Sequence, residues 1–226
     1  ASGIDGLALF VRKPRFLRAC ADSPVKGLYT FPIMFVRKGG TAAFVETCRR
    51  VLENPCAYRI NGKMPMVSYW TSKFFTPGEL KAACDAARTE LGDRFIFFAS
   101  MPVLAREWVR FEQNGRKFVP GAREELKGIV RSYLEAADGI QLSEAHMLAK
   151  LEGGERVFAR EYWDAIHALT VEVMSEPQFA GRKYLASAAV NSHMNFYKGG
   201  HEVCENGTRS LRDSFEVALK YNPDYI

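Results

Sequence analysis

The stretch Asn61-Gly-Lys-Met-Pro-Met-Val-Ser-Tyr-Trp70 combines a turn, a buried strand and a polar tip. Asn61-Gly62 is a strong turn dipeptide because both residues tolerate positive φ. Met64 to Tyr69 is a short, nearly unbroken apolar run, which predicts a strand buried on both faces. After a short spacer, Thr76-Pro77-Gly78-Glu79 has the capping-box arrangement, with proline at the first helical position. One unit therefore holds a turn, a buried strand, a polar tip and a capped helix.

The same unit recurs along the chain. Apolar runs bounded by turn residues predict six strands, at Gly3–Val11, Lys26–Val36, Met64–Tyr69, Arg94–Ser100, Asp138–Leu142 and Lys183–Val190. Amphipathic spacing predicts the helices between them, at Pro14–Asp22, from Thr41, from Thr76, around Leu126–Ala137, at Glu155–Ser175 and after Thr208. Gly92 is the predicted stop of the helix from Thr76, and residues 101–120 are predicted as an excursion at the polar end of the fourth strand. The predicted apolar residues are Phe44, Val45, Cys48, Val51 and Leu52 in the helix from Thr41, and Leu211, Phe215, Ala218 and Leu219 in the last helix. Residues 222–226 are predicted to begin a further strand. This strict alternation predicts an α/β protein with a parallel sheet.

Two architectures fit such a sheet, an open doubly wound sheet and a (β/α)8 barrel of the TIM type. No G-x-G-x-x-G or phosphate loop follows any strand. Polar tips follow many successive strands instead of one switch point, which favours the barrel. We expect residues 1–226 to form a single barrel domain with six to seven strands, lacking the first and last. Such a barrel has two uncovered edges, so the isolated chain is expected to need further sequence or a partner to stay soluble.

Composition excludes several classes of function. The 226 residues are 47% hydrophobic and 25% charged, with a net charge of +5. The small basic cluster between Arg12 and Arg18 is typical of a solvated helix face, so no nucleic-acid partner is expected. No apolar run approaches the ~18 residues of a membrane span. The five cysteines lack C-x-x-C spacing, so no metal site is implied, and Cys48 and Cys84 in helical apolar patterns are expected as buried thiols. Aromatic residues reach 12%, which suits either a large core or a carbohydrate site.

Five motifs occur in the order of a known enzyme family. They are Gly3-Ile-Asp-Gly-Leu-Ala-Leu9; Tyr58 to Ser68, with one extra residue between Lys63 and Pro65; Asp138-Gly-Ile-Gln141; Lys183-Tyr-Leu-Ala186; and Asn222-Pro-Asp-Tyr-Ile226. Together they resemble the endo-α-1,3-glucanase (mutanase) family, glycoside hydrolase family 71, and more loosely its endo-mannosidase-like relatives.

The resemblance implies a (β/α) barrel that hydrolyses an α-linked glucan or a related polysaccharide without a cofactor, in a secreted or extracytoplasmic location. It also implies that the family's first strand precedes Ala1, and that its acid pair, in a T-W-N-D-x-x-E-S segment, lies beyond Ile226. Two tips depart from the family pattern. Phe10 stands where the family has asparagine, and Ser143-Glu144-Ala145-His146 replaces a tryptophan-rich tip.

Glycoside hydrolysis needs two carboxylates beside the scissile bond, and in a barrel these lie at the carboxyl ends of strands. Glu144, just past the fifth strand, is the candidate catalytic carboxylate within the chain, with a sugar-hydroxyl ligand as its alternative role. Asp5 and Asp138 stand at the amino ends of their strands and are interpreted as structural. His167 falls in mid-helix and is assigned no role.

Polar tips supply the candidate sugar-binding residues. Tyr69 and Trp70 could stack on a sugar ring, since the apolar faces of sugars pack on aromatic rings. Hydrogen-bonding groups that could recognise hydroxyls are Ser100, His146, Asn191 and His193. Two alternatives to a glycosidase stay open: a barrel that binds polysaccharide without cutting it, and a metal-dependent barrel hydrolase using Glu144, His146 and His193.

Overall fold

The computed structural model describes residues 6–10, 29–34, 40–54, 57–68, 70–142, 149–152, 155–186, 193–194, 201–202 and 209–225. The chain divides into two compact units, one made of residues 1–100 with 135–139 and the other of residues 101–134 with 140–226. The expectation of a single barrel domain stays a prediction.

Between the parallel strands, the structure has the predicted helices beginning at Gly40, Pro77, Ala122, Arg160 and Arg209. The predicted helix Pro14–Asp22 lies outside the described residues. Two short antiparallel strand pairs, which were not predicted, interrupt the alternation. The strands are β1 (Gly6–Phe10), β2 (Tyr29–Met34), β3 (Met64–Ser68), β4 (Phe95–Ser100), β5 (Gly139–Leu142), β6 (Ala149–Glu152), β7 (Glu155–Phe158), β8 (Lys183–Ala186), β9 (His193–Met194) and β10 (His201–Glu202). The α-helices are α1 (Gly40–Leu52), α2 (Thr71–Phe74), α3 (Pro77–Leu91), α4 (Trp108–Gln113), α5 (Ala122–Ala136), α6 (Arg160–Met174) and α7 (Arg209–Lys220).

The main sheet follows the order of the chain, β1-β2-β3-β4-β5-β8. The pairs β1–β2, β2–β3 and β3–β4 are parallel. A doubly wound sheet reverses its strand order at a switch point, whereas a barrel adds each strand beside its predecessor. The observed order therefore agrees with the barrel prediction.

Pro32 limits how β2 joins the sheet. It lies opposite Leu9 in the β1–β2 ladder, but β2 pairs with β3 only from Ile33 onward, at Ile33↔Val67 and Met34↔Ser68. Proline has no N–H to donate to a second neighbour, which explains the short ladder with β3.

In the first unit, the predicted helical stripes form the core. The buried residues of α1 are the five predicted ones, Phe44, Val45, Cys48, Val51 and Leu52. The helix begins at Gly40, one residue before the predicted cap Thr41, with Gly40 at a positive φ of 58° that favours glycine. The ring of Phe44 meets Phe97 edge-on, with centroids 5.2 Å apart, and this contact joins α1 to β4.

The predicted start and stop of α3 are both confirmed. The Thr76 hydroxyl accepts from the backbone N–H of Glu79 at 3.3 Å, and the Glu79 carboxylate accepts from the N–H of Thr76 at 2.8 Å. Gly92 ends the helix at φ 75°. This reciprocal cap fixes the point where the chain turns from the carboxyl end of β3 into its helix.

In the second unit, the predicted strand after α7 is confirmed at its first residue. Tyr225 bridges Leu185 of β8 in parallel. The N–H of Tyr225 donates to Tyr184 O at 3.2 Å, and the N–H of Ala186 donates to Tyr225 O at 2.9 Å. The chain-order progression of strands therefore continues past β8.

Two predictions in the second unit are wrong. Residues 155–158 form strand β7, paired antiparallel with β6, where a helix from Glu155 was predicted; α6 begins at Arg160. The pair Glu152↔Glu155 leaves the dipeptide Gly153-Gly154 between the strands, and such a two-residue link favours a hairpin.

The predicted apolar face of α7 is also wrong in part. Leu211, Phe215 and Leu219 are 37%, 40% and 62% exposed. The helix buries its small residues instead, namely Ser210, Ser214, Val217 and Ala218. Small side chains allow close approach of two backbones, and the Ser214 hydroxyl is satisfied by donating to Leu211 O at 2.9 Å.

Candidate active site

In the first unit, a fully buried threonine joins the carboxyl ends of β3 and β4. Thr71 follows β3, and its hydroxyl donates to Ser68 O at 2.6 Å. The same hydroxyl accepts from the backbone N–H of Ser100, the last residue of β4, at 3.0 Å. Both partners are also fully buried. The predicted ligand Ser100 thus lies at a strand tip as expected, but it lies beneath the surface of this edge.

Trp70 lies between Ser68 and Thr71 in a left-handed backbone conformation, with φ 57° and ψ 41°. A non-glycine residue in this region costs about 1–2 kcal/mol. The conformation lets the chain pass directly from β3 into α2, and the bonds of Thr71 hold the turn. The hydrogen bonds of Thr71 therefore hold the strained backbone and place the indole of Trp70 at the carboxyl end of β3.

The indole of Trp70 is partly exposed and has aromatic and cationic neighbours. Its ring stacks on Phe74 with centroids 6.3 Å apart and planes at 29°. The Lys73 ammonium lies 4.2 Å from the Trp70 ring centroid, within cation–π range. Lys73 thus covers part of the aromatic surface that the sequence predicted as a sugar platform.

One polar atom at this edge has no internal partner. Ser68 Oγ is buried and, among the described residues, accepts and donates no hydrogen bond. A buried hydroxyl without a partner costs about 1–3 kcal/mol. Buried polar groups without hydrogen-bond partners are uncommon in folded proteins, and some of them serve functional sites. Ser68 Oγ is therefore a candidate ligand-binding group.

In the second unit, the segment after β4 begins at the carboxyl end of β5. The N–H of Met101 donates to Gln141 O at 3.1 Å. The chain then forms a 3-10 turn, Pro102–Glu107, and continues into α4. The sequence predicted an excursion at the polar end of a strand here, without assigning its elements.

An aromatic cluster anchors this excursion to α6. Tyr162, fully buried in the first turn of α6, has three aromatic neighbours: Phe111 at 5.1 Å, Trp108 at 5.7 Å and Phe118 at 6.0 Å between centroids. Its hydroxyl donates to Leu104 O in the 3-10 turn. Burial, and then the nearby carboxylate of Glu107, raise the pKa of Tyr162, so the phenol stays protonated as a donor.

Glu107 is a buried acid that the sequence reasoning missed. Its side chain is 8% exposed and lies between two arginines, with Arg110 Nη1 3.5 Å from Oε2 and Arg106 Nε 3.8 Å from Oε1. Both distances are longer than those of ordinary hydrogen bonds, and Oε2 is buried without a hydrogen-bond partner among the described residues. No periodicity marks Glu107; the available signal was an acid within the basic and aromatic stretch Arg106-Glu-Trp-Val-Arg110.

A second buried polar cluster lies at the amino end of β8. His167 on α6 is fully buried, and its Nδ1 bonds the hydroxyl of Tyr184. Its ring stacks on Tyr221 at 5.5 Å and meets Trp163 edge-on at 4.6 Å. Burial lowers the pKa of His167 to about 3, with Asp164 opposing the shift, so the ring is neutral at pH 7. The cluster lies at the end of the strand opposite to the tips, which supports a structural role.

The other predicted site residues are not placed together. Glu144, His146, Tyr69 and Asn191 lie outside the described residues. The backbone of His193 is in β9, paired antiparallel with β10 through Glu202. Of the predicted set, Trp70 and Ser100 are the two whose side chains are described, and Thr71 connects their segments.

Within the described ranges, no three His, Cys, Asp or Glu side chains are grouped so that they could hold a metal ion. In the same part of the chain, no helix is long and apolar enough to cross a bilayer. Whether Glu144, His146 and His193 form a metal site stays open.

No family model matches the chain, and no curated protein matches it. Among solved structures, the chain is similar to the GH99 endo-alpha-mannosidase from Bacteroides thetaiotaomicron, with a TM-score of 0.58 at 12% sequence identity. The match covers 98% of this chain, which spans 60% of the length of that enzyme. At this identity the likeness establishes the fold, a TIM barrel of the kind found in glycoside hydrolases, and confirms the predicted fold class. It does not single out family 71.

Proposed function

We propose that this chain is part of a glycoside hydrolase that cleaves an α-linked polysaccharide, with α-1,3-glucan as the first substrate to test. The observation that carries the proposal is the fold, which matches a glycoside hydrolase barrel over 98% of the chain. The motifs between Gly3 and Ile226 resemble those of the endo-α-1,3-glucanases, and this resemblance is the reason for testing α-1,3-glucan first. The solved neighbour acts on mannose linkages by its description, so α-mannan is the competing substrate.

The carboxyl ends of the strands support this function. Barrel enzymes bind substrate at that face, and polysaccharide binding uses aromatic rings beside hydrogen-bonding groups. Trp70 provides a partly exposed indole there, held by strained backbone and by Thr71. In the proposal, Trp70 and Tyr69 pack on sugar rings, and Ser100 and Thr71 fix the edge beneath them.

The chemistry needs two carboxylates, about 5 Å apart for retention or about 6.5–9.5 Å apart for inversion. We propose Glu144 as an acid, a base or a hydroxyl ligand, with His146, Asn191 and His193 as neighbouring sugar ligands. The resemblance also implies an acid pair in the family's T-W-N-D-x-x-E-S segment, which does not occur within these 226 residues. The full-length protein is therefore the one to assay.

The test measures reducing-sugar release by the complete gene product from α-1,3-glucan, α-1,4-glucan and α-mannan. Release from α-1,3-glucan above the other two supports the proposal in full. Release from α-mannan alone keeps the glycosidase and replaces the substrate. Binding to glucan in affinity electrophoresis without any product favours the non-catalytic binding barrel.

Matched tryptophan variants show whether the strand tip takes part. Trp70→Leu is expected to reduce kcat/KM on the cleaved polysaccharide by about tenfold or more, since a stacked aromatic contact is lost. Trp163→Leu is the control, because Trp163 is buried on α6 and is expected to lower the melting temperature with little effect on kcat/KM. Equal activity of wild type and Trp70→Leu would remove Trp70 from the site.

A further inference from the structure

The short segment Arg106–Arg110 carries an acid and an indole at consecutive positions, Glu107 and Trp108. Glu107 ends the 3-10 turn and Trp108 begins α4, so the two side chains leave consecutive residues at a change of helix type. Glu107 is buried, while Trp108 is partly exposed. The segment starts from the carboxyl end of β5 through the bond of Met101 to Gln141. It therefore lies at the end of the strand where barrel enzymes bind ligands.

The charge of Glu107 is only partly compensated. Its two ion pairs, at 3.5 and 3.8 Å, are longer than ordinary hydrogen bonds, and Oε2 has no hydrogen-bond donor among the residues that the structure describes. A buried carboxylate normally gains two or three donors, because losing water is otherwise expensive. Glu107 is therefore short of donors in a place where it could receive them from a ligand.

The arginines beside Glu107 leave room for a further donor. The side chain of Arg110, which lies nearest to Oε2, is 68% exposed, and the side chain of Arg106 is 39% exposed. Since Arg110 Nη1 at 3.5 Å is too far for a strong hydrogen bond, a ligand hydroxyl that donates to Oε2 adds a bond while both arginines stay in place. The backbone beneath is fixed, because Tyr162 bonds Leu104 O and packs on Phe111.

We propose that Glu107 and Trp108 form a sugar-binding subsite of the glycosidase. The carboxylate accepts hydrogen bonds from hydroxyls of one sugar unit, and the partly exposed indole packs on the apolar face of a neighbouring unit, since consecutive helical residues project in different directions. A neutral, hydroxyl-rich sugar fits both groups, since it supplies donors for the acid and a flat C–H surface for the ring. The subsite rests on the proposed function and adds a binding residue to it; Glu107 positions substrate and is not assigned to the bond cleavage.

The chain offers a close control in Glu112. It lies in the same helix α4, has a buried oxygen without a hydrogen-bond partner and pairs with Arg116 at 3.7 Å. It differs in having no tryptophan beside it in sequence, since its neighbours are Phe111 and Gln113. The variants Glu107→Gln and Glu112→Gln keep side-chain size and remove the charge at each position.

The experiment uses the complete gene product with an α-1,3-linked glucotetraose and an α-linked mannotetraose as probes. Dissociation constants are measured by calorimetry, and KM and kcat are measured on the polysaccharide that is cleaved. Glu107→Gln is expected to raise Kd and KM by about tenfold, the usual effect of losing a charged hydrogen bond, with kcat nearly unchanged. Glu112→Gln is expected to leave all three within about twofold of wild type.

Trp108→Leu gives a second, independent reading should Glu107→Gln fold poorly. Leucine preserves apolar contact with Tyr162 and removes the indole, so binding should weaken by about tenfold. Affinity of Glu107→Gln or of Trp108→Leu equal to wild type, with any loss confined to melting temperature, would show a structural ion pair only and overturn the subsite. If wild type binds and cleaves neither glucan nor mannan, the proposed function fails, and the subsite fails with it.

Discussion

Two aspartates at the amino ends of strands are fully hydrogen-bonded, whereas two buried polar atoms at or beyond the carboxyl ends have no hydrogen-bond partner among the described residues. Ahead of β5, Asp138 accepts two hydrogen bonds from Arg88 Nη2, at 2.6 and 2.7 Å, and one from the N–H of Phe97 at 2.8 Å. At the carboxyl end of β3 and in the segment after β4, Ser68 Oγ and Glu107 Oε2 are buried and have no hydrogen-bond partner in the part of the chain that the structure describes.

The second unit repeats the amino-end arrangement. Lys183 Nζ donates to Asp224 at 2.8 Å, and the N–H of Tyr184 donates to the other oxygen of Asp224 at 2.9 Å. In both units an acid thus bonds a cation and a strand N–H at once.

Paired groups stabilise a fold, whereas buried groups without partners can be available for a ligand. Near the amino end of β8, His167 Nε2 and Trp163 Nε1 are also buried without a hydrogen-bond partner among the described residues, so the contrast rests on Asp138 and Asp224 against Ser68 and Glu107. We infer stability roles for the two paired aspartates and test ligand roles for Ser68 and Glu107.

Removing Asp138 should have the largest effect on stability. Asp138→Ala leaves Arg88 and the Phe97 N–H without their acceptor, at a cost of about 2–3 kcal/mol. Chemical denaturation measures it. Asp93→Ala, which breaks only the exposed Lys63–Asp93 pair, is the control, with an expected loss below about 1 kcal/mol. Equal losses would mean that the amino ends are not specially stabilised by Asp138.

Burial of His167, near the amino end of β8, should make the folded protein less stable in acid. The folded pKa of His167 is about 3 and its ordinary value is 6.5, so between these values the unfolded chain binds the proton and the folded chain does not. Stability should therefore be complete above pH 6.5 and fall as the pH drops, by about 2 kcal/mol between pH 7 and pH 5. Melting temperatures across this range measure the slope.

The groups that face His167 define the controls for this slope. They are Tyr184, Tyr221 and Asp164, with Lys220 bonded to Asp164. His167→Gln should flatten the dependence between pH 7 and pH 5. Tyr184→Phe keeps the titrating ring and should retain the slope at lower overall stability. An unchanged slope in His167→Gln would assign the acid sensitivity to the carboxylates.

At the carboxyl ends, Thr71 should matter for both stability and activity. Thr71→Val keeps the shape but leaves the buried N–H of Ser100 unpaired, at a cost of about 1.5 kcal/mol, and loosens the turn that holds Trp70. The control is Thr170→Val, another buried threonine, whose hydroxyl donates only to Ile166 O and whose loss should cost about 0.5 kcal/mol. Full activity in Thr71→Val would mean that Trp70 does not depend on this bond.

Ser68→Ala should have the smallest effect on stability, and it separates a role in ligand binding from a role in folding. Since Ser68 Oγ has no partner, its removal should change the unfolding free energy by less than about 0.5 kcal/mol, or stabilise the protein slightly. If that hydroxyl serves a ligand, sugar affinity should fall while stability does not. A loss of 1 kcal/mol or more would reveal a structural bond at Ser68.

Much of the fold could be predicted because its signals are local. The nearly unbroken apolar run of β3, the five-residue stripe of α1 and the capping box at Thr76 each depend on nearby residues, and each is confirmed. The start predicted for α6 at Glu155 was wrong because residues 155–158 pair as a strand with β6, whereas the rest of that helix is confirmed. The face predicted for α7 was wrong in part, since Ala218 is buried as predicted but Ser210, Ser214 and Val217 are buried with it.

The site was harder to predict, since its features arise from tertiary structure. The carboxyl-end position of Trp70 followed from the strand pattern, but its left-handed backbone and its contact with Lys73 did not. Glu107 had no periodicity to mark it, and only its burial between Arg106 and Arg110 distinguishes it from the other acids. Burial and missing hydrogen bonds are properties of the folded chain, not of a sequence window.

The most direct test is a crystal structure of the complete gene product with a bound α-1,3-linked glucotetraose. We predict sugar density at the carboxyl ends of the strands, with one ring against the indole of Trp70. Sugar bound at the amino ends, near Asp138 or Asp224, or bound at the carboxyl ends without contact to Trp70, would contradict it.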